Sequence, residues 1–417
     1  MKGLVVAGKG AATVVLLTAT YYAARMGVAD ASARRETVDG LDQAVRLEPG
    51  NADYHRWLGI TVLARDPGKS EHEFREAFRL NHWDTDSRVR LAALMEAQGK
   101  FDEAERGLLD ATQFDRTFLP RWSLANFYFR RQRMPEFWKW MRAAVEMSFG
   151  DRTPIFELAW ATGETDLAGR LAINNDEVWL GYLWWGLGKV SAAEVKTAAL
   201  HVAAGKQPNG RAVAFACDRL MDLGDVGAAL EVWNAGVAAG MEASGKAVPG
   251  TVTNGEFRAG FRAEAGGAGF DWVGEKPEGG AVLRETEQGG FRARFNGDQA
   301  LSGTVLWQRV AVERGAAYRV RVKYRTIGLG KNSGLKWAVW SAKALVAKAE
   351  TYLWSDETDA TAEFEFTAPN DSKVHGDGAW VRLMLGYERP PGEVRAEGAV
   401  TIQRVDMEAV RGHLIIK

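Results

Sequence analysis

Alanine recurs at positions 44, 77, 111 and 144, at intervals of 33, 34 and 33 residues. A fixed period of that length describes two-helix units, each too small to bury its own apolar face and so obliged to stack on the next. Residues 37 to about 245 keep the 3.6-residue helical period with few strand-like runs. The clearest unit covers residues 85–118. There Gly99 turns the chain, Ala104 and Ala111 are small where two helices cross, and Phe101 and Leu108 fill the gap between repeats.

Other stretches carry the same signature. Asn51-Ala52 with Leu58-Gly59 reads as the start of a repeat, and Trp122 sits where another would place its Trp. Leu41-Asp42-Gln43-Ala44-Val45-Arg46-Leu47-Glu48-Pro49 reads as a closing helix with its terminal Pro, and Gly224-Asp225-Val226 through Ala229-Leu230 as a further second helix. These residues resemble the tetratricopeptide repeat family, well over 37–148 and less well over 150–245, where Trp179, Trp184 and Trp185 depart from the pattern. The resemblance implies a superhelix whose groove holds a peptide or partner helix. Tyr54, Arg88, Asn126 and Arg130 fall at first-helix positions that face the groove or are plain solvated residues. The cluster Phe127, Tyr128, Phe129, Phe137, Trp138 and Trp140 is expected to be core between repeats. Cys217, the single cysteine, makes no intrachain disulfide or thiolate cluster and reads as a small buried hydrophobe.

Ahead of the repeats, Leu4–Ala24 holds one charge, Lys9, and Ala11–Ala24 is an apolar run of 14 residues. A membrane-anchoring helix is expected, with a secretory signal cleaved near Ala31-Ser32-Ala33 as the alternative. Either places the bulk of the chain in the periplasm, anchored to the inner membrane or exported. Gly3 to Gly8-Lys9 has phosphate-loop spacing, but Gly10 stands where Ser or Thr is required and no strand can precede residue 3.

Near Ala247-Val248-Pro249-Gly250 the period changes from 3.6 to 2. Tyr318, Val320, Val322 and Tyr324 alternate with Arg319, Arg321, Lys323 and Arg325, and Phe364 and Phe366 with Glu363 and Glu365. Further strands are expected over 305–312, 335–340, 381–387 and 400–407, with Gly- and Pro-containing turns between. About eight short strands of this kind imply an antiparallel sandwich of jelly-roll type. Asn254-Gly255-Glu256-Phe257, Gly269-Phe270-Asp271-Trp272, Leu306-Trp307-Gln308 and the closing Val405-Asp406-Met407 follow in an order that resembles the carbohydrate-binding modules attached to xylanases and cellulases, over about 252–410. That resemblance implies a structural calcium between first and last strands, held by Glu256 and Asp406, or else two solvated carboxylates. It also implies aromatic platforms for pyranose rings. Trp272, Trp307, Trp340 and Trp354 are the candidates, with Trp272 and Trp354 expected to be the most exposed. Trp337 and Trp340 differ by an odd number, so only one of them can face inward on a regular strand. The Arg319 to Arg325 face could attract an acidic polysaccharide, although a solvated face is the plainer reading.

Fifty-three basic residues against fifty-four acidic give a net charge of −1, which leaves no positive excess for a dedicated nucleic-acid binder. The six His are scattered, and Asp371, His375 and Asp377 supply too few ligands for a metal site. Glu363 and Glu365 lie side by side on one strand face and cannot flank a glycosidic bond. No catalytic residue and no cofactor beyond the possible calcium is expected. The fold class expected is α then β: a membrane anchor or signal over 1–33, a helical repeat solenoid over 34–246 and a β-sandwich over 252–410. The two resemblances together imply a non-enzymatic envelope adaptor that binds a protein and a glycan, an architecture similar to accessory proteins of bacterial exopolysaccharide production. The rivals are a purely protein-binding scaffold and an envelope polysaccharide-acting enzyme with an unrecognised site.

Overall fold

The computed structural model describes residues 2–263, 266–286, 289–341, 345–370 and 378–410, so Asp371, His375 and Asp377 lie outside the described residues. The helices in chain order are α1 (Lys2–Ala33), α2 (Val38–Leu47), α3 (Ala52–Val62), α4 (Pro67–Leu80), α5 (Thr85–Ala97), α6 (Phe101–Phe114), α7 (Phe118–Arg130), α8 (Met134–Glu146), α9 (Thr153–Trp160), α10 (Leu167–Leu171), α11 (Asp176–Gly186), α12 (Ala192–Ala204), α13 (Gly210–Asp222) and α14 (Val226–Ala238). Residues 1–150 with 170–172 form one compact unit, and 151–169 with 173–417 form another.

In the first unit, α3–α4, α5–α6 and α7–α8 are hairpins at the period the sequence predicts. Ala44, Ala77, Ala111 and Ala144 sit on the second helices α2, α4, α6 and α8 and are fully buried. Helix starts are set by side chains that accept otherwise unpaired N–H groups: Thr37 from Gly40, Asn51 from Asp53, Asp66 from Lys69 and Asp84 from Ser87. Gly99 turns α5 into α6 at a φ of 78°, in the left-handed region that a Cβ disfavours. Phe127, Tyr128, Phe137 and Trp138 are buried, with Phe137 and Trp138 edge to face at 4.8 Å, as expected of inter-repeat core. Phe101 departs from expectation. As the first residue of α6 it is partly exposed, and the Arg131 guanidinium covers its ring at 3.7 Å.

Among the described residues no helix is long and apolar enough to cross a membrane. The apolar run lies within α1, which continues through Arg25 and Asp30 to Ala33 and ends in contact with the repeats. Ala29 and Ala33 pack with Leu41, Ala44, Tyr54, Leu58 and Val62. Arg25 pairs with Glu48 at 3.3 Å, and Asp30 accepts the Tyr54 hydroxyl at 2.8 Å. The small-residue triplet Ala31-Ser32-Ala33 is therefore helical, with Ser32 and Ala33 buried.

In the second unit the strands are β1 (Val273–Gly274), β2 (Ala281–Glu285), β3 (Phe291–Asn296), β4 (Ser302–Glu313), β5 (Ala317–Ile327), β6 (Leu335–Trp340), β7 (Leu345–Tyr352), β8 (Asp359–Thr367), β9 (Gly378–Glu388) and β10 (Glu397–Ala409). They form two antiparallel sheets, ordered β1-β4-β9-β6-β7 and β2-β3-β10-β5-β8. Alternation fills the space between the sheets. Tyr318, Val320, Val322 and Tyr324 from one sheet meet Val381, Leu383 and Leu385 from the other, while intervening side chains face outward. The strands β1, β2, β3 and β7 are additions to those expected. Only β3, with Phe291, Ala293 and Phe295 buried in alternation, carried a clear period-2 signal, and it is short.

Helices α13 and α14 pack directly on this sandwich within the same unit. Trp233 of α14 meets Phe270 edge to face at 5.7 Å and donates its indole N–H to the Gly245 carbonyl. Gly269 has a φ of 56°, and a Cβ there would come within 2.3 Å of the Trp233 ring, so the close seating of the 266–273 segment requires glycine.

Candidate functional site

The outward face of the first sheet is where the predicted tryptophans separate into those that pack and those that meet solvent. On β9, Val381, Leu383, Leu385 and Tyr387 point inward, which leaves Trp380, Arg382, Met384 and Gly386 outward. Register sets their neighbours. Arg309 and Trp307 of β4 stand opposite Arg382 and Met384, while Trp340, Ala338 and Lys336 of β6 stand opposite Arg382, Met384 and Gly386.

One half of this face is covered. Trp380 donates its indole N–H to the Met221 carbonyl at the end of α13, and Arg309 pairs with Asp218 at 3.0 Å and Asp222 at 3.6 Å. Asp218 also accepts the backbone N–H groups of Ala268 and Gly269, each at 3.0 Å. Trp307 is roofed by Ala268 and Val273, donates to Glu275 at 2.6 Å, and has the Arg382 guanidinium 4.4 Å above its ring.

The other half is open. Ligand pockets run from about 300 to 1,000 Å³, and here a cavity of about 340 Å³ is lined by Gly303, Lys336, Ala338, Trp340, Met384 and Gly386. Its floor is flat because Gly303 and Gly386 carry no side chain; a Cβ on Gly386 would meet the Gly303 carbonyl at 2.9 Å. Lys336 makes ion pairs at 3.2 Å with both Glu350 and Glu388. Burial works against its ammonium, but these two contacts outweigh burial and hold its pKa above that of an ordinary lysine. Tyr387 points the other way, into the core between the sheets, where its ring meets Phe295 at 5.4 Å. An exposed ring with a polar rim is what recognition of a neutral or weakly charged polyol needs.

The predicted platforms divide as follows. Trp340 is 40% exposed and lines the cavity, while Trp337 is fully buried, as the odd spacing requires. Trp272 and Trp307 were expected to contact a ligand, but they are 0% and 3% exposed. Trp272 lies between the sheets, edge to face with Trp337, because the Gly-rich stretch before it folds inward and gives its indole N–H the Asn254 carbonyl. Trp354 is 38% exposed but follows β7 near β5 of the other sheet, where Tyr324 donates its hydroxyl to the Trp354 carbonyl. The sequence reading did not single out Lys336, Gly303, Gly386, Met384 or the 62%-exposed Tyr352 beside Lys336. For Lys336, Met384 and Gly386 the signal was outward parity along β6 and β9, while Gly303 stands opposite the inward Tyr387.

The remaining candidates take other places. Glu256 and Asp406 are bridged by one guanidinium: Arg404 Nη1 reaches Glu256 at 2.8 Å and Nε reaches Asp406 at 2.7 Å, and Arg258 adds a second contact to Glu256. Positive charge near both carboxylates is thus supplied by arginine, and among the described residues no group of three His, Cys, Asp or Glu could hold a metal ion. Arg319 and Arg321 pair across the strands with Glu363, Glu365 and Glu408, so that face is largely self-neutralised. In the first unit, Tyr54 is buried with its hydroxyl on Asp30, which takes it out of any groove. Arg88 is buried as well, clamped between aromatic rings. Asn126 bonds the Trp122 carbonyl of its own helix, and Arg130 makes a two-pronged pair with Glu96 at 2.7 and 2.8 Å that ties α7 to α5. Cys217 is fully buried and gives its S–H to the Ala229 carbonyl.

No family profile and no curated relative matches the chain. Several solved structures are similar to parts of it. One is MamA, residues 41 to the end, from Desulfovibrio magneticus RS-1, at 14% identity and a TM-score of 0.31, covering 41% of this chain and 97% of the other. PilF of Pseudomonas aeruginosa matches at 13% identity and a TM-score of 0.29 over 43% of this chain and 90% of its own. A CBM4 structure matches at 12% identity and a TM-score of 0.30 over 38% of this chain and 99% of its own. Similarity at this level is silent on function, so the functional reading rests on the geometry of the chain itself.

Proposed function

We propose that the protein is a non-enzymatic scaffold whose helical repeats dock a protein partner and whose first sheet binds a glycan on its open half. The observation that carries the glycan reading is Trp340, an exposed indole at the edge of a glycine-floored cavity with Lys336 and Glu388 around it. Sugar rings stack an apolar face on such an indole and spend their hydroxyls on the polar rim. Placement in the bacterial envelope and a part in polysaccharide assembly belong to the same proposal, supported by the apolar run of residues 11–24. A periplasm-active reporter fused after residue 40 tests that placement, and a silent fusion overturns it.

The glycan reading is tested by affinity electrophoresis of the full chain through gels containing soluble polysaccharides. At least one should retard the protein, Trp340→Ala should restore free migration, and Trp354→Ala should not. Retardation by none, or retardation insensitive to Trp340→Ala, would leave the sandwich a structural part of a purely protein-binding scaffold.

A further inference from the structure

Arg88 stands on α5, four residues past the capping Asp84, and is only 9% exposed. Its guanidinium carbon lies 3.8 Å from the ring centre of Phe78 on α4 and 4.1 Å from that of Phe114 on α6. Stacking on two rings satisfies the flat faces of a guanidinium but none of its N–H groups, which project in its plane. Nε is buried without a hydrogen-bond partner. Asp110 acts on Arg88 only through space, and burial is the larger influence, lowering the pKa of the guanidinium.

The same guanidinium lines a cavity of about 360 Å³ between α4 and α6 with α5 beneath. Leu91, Met95 and the two phenyl rings make its apolar wall. The charged lining is Arg75 and Arg88 against Glu103 and Asp110, and Arg75 is already engaged by Glu71. One unanswered cation therefore remains, next to acids that would repel a doubly charged phosphate more than a single carboxylate. The lining comes from the second helices α4 and α6 together with the first helix α5, which carries Arg88.

We propose that this cavity binds a monocarboxylate carried on an apolar body, with the carboxylate seated on Arg88 and the body against Phe78, Leu91, Met95 and Phe114. A planar carboxylate matches the guanidinium fork and answers the missing hydrogen bonds. The acid can be a free small molecule or the end of a peptide chain that finishes in an apolar residue.

The test uses the full chain and calorimetric titration with 4-phenylbutyrate, its neutral counterpart 4-phenylbutanol, and a tetrapeptide ending in Phe as free acid or amide. Saturable binding of 4-phenylbutyrate is expected, with the alcohol weaker by about tenfold or more. Arg88→Met, which keeps the stacked volume without the charge, should fold with an unchanged or higher Tm and lose the acid. Asp110→Asn should tighten it by removing a competing charge. Binding of the peptide acid but not its amide assigns the site to chain ends, and binding of 4-phenylbutyrate alone assigns it to small free acids. The proposal fails if neither acid binds saturably, if the alcohol binds as well as the acid, if binding survives Arg88→Met, or if Asp110→Asn weakens it.

Discussion

Arg309 and Arg382 stand directly opposite each other on β4 and β9, yet only Arg309 has acids to pair with. Arg382 lies over Trp307 with a buried, unpartnered Nε, and its pKa is lowered first by burial and then by Arg309. Like charges in directly opposed positions destabilise a sheet by roughly 0.2–1 kcal/mol. Arg382→Met keeps an unbranched chain over Trp307 and removes the repulsion, so urea unfolding should show unchanged stability or a gain of up to about 1 kcal/mol. A loss of more than about 1 kcal/mol would mean that the ring contact outweighs the repulsion.

Asp218 is the opposite case, a carboxylate with every partner in place. Beyond Arg309 it holds the N–H groups of Ala268 and Gly269, the turn that seats the sandwich on α13 and α14. Asp218→Ala leaves a nearly buried guanidinium with only the more distant Asp222 and strands two amides, and a loss of about 3 kcal/mol is expected. Asp218→Asn should lose less, because its remaining oxygen still accepts. Denaturant unfolding followed by near-UV circular dichroism compares the two, and equal small losses would show that solvent reaches this pair.

Trp272 and Trp340 should separate stability from binding. Trp272→Ala removes a fully buried indole from between the sheets and should cost about 3–5 kcal/mol. Trp340→Ala, on a wet face, should stay within about 0.5 kcal/mol of the parent. Thermal unfolding of both variants checks this, and a large loss for Trp340→Ala would make it a packing residue.

These residues also show where sequence reasoning reaches and where it stops. Periodicity found the helical hairpins, because a stacked repeat must place a small residue at each crossing, as at Ala44, Ala77, Ala111 and Ala144. It found β5 and β8, whose alternation is uninterrupted, and it fixed the opposite facing of Trp337 and Trp340. It misjudged Trp272 because a Gly-rich neighbourhood signals a loop, and whether a loop folds over or under a sheet depends on distant partners such as Asn254 and Trp337. It misjudged Tyr54 because the partner of its hydroxyl, Asp30, belongs to a helix read as an anchor. The Asp218–Arg309 pair joins residues 91 positions apart, and no local pattern marks either member. Trp340 stayed legible because parity along one strand decides its face.

His55 gives the pH dependence. Both ring nitrogens face acceptors: Nδ1 lies 2.6 Å from the Glu73 carboxylate and Nε2 lies 3.1 Å from the Pro49 carbonyl. A neutral ring can donate to only one of them, so the doubly protonated ring is favoured. The Glu73 hydrogen bond is the main cause of the raised His55 pKa, outweighing the burial that would lower it. The folded state therefore binds this proton more tightly than the unfolded chain does. The stabilisation is fully present below the unfolded histidine value, near 6.5, and is lost as pH rises through the higher folded value. Tm should accordingly fall as pH rises above about 6.5. His55→Gln, which can still donate to Glu73 but does not titrate, should flatten that part of the profile while lowering Tm at pH 6. An unchanged slope in the variant would assign the pH dependence to another group.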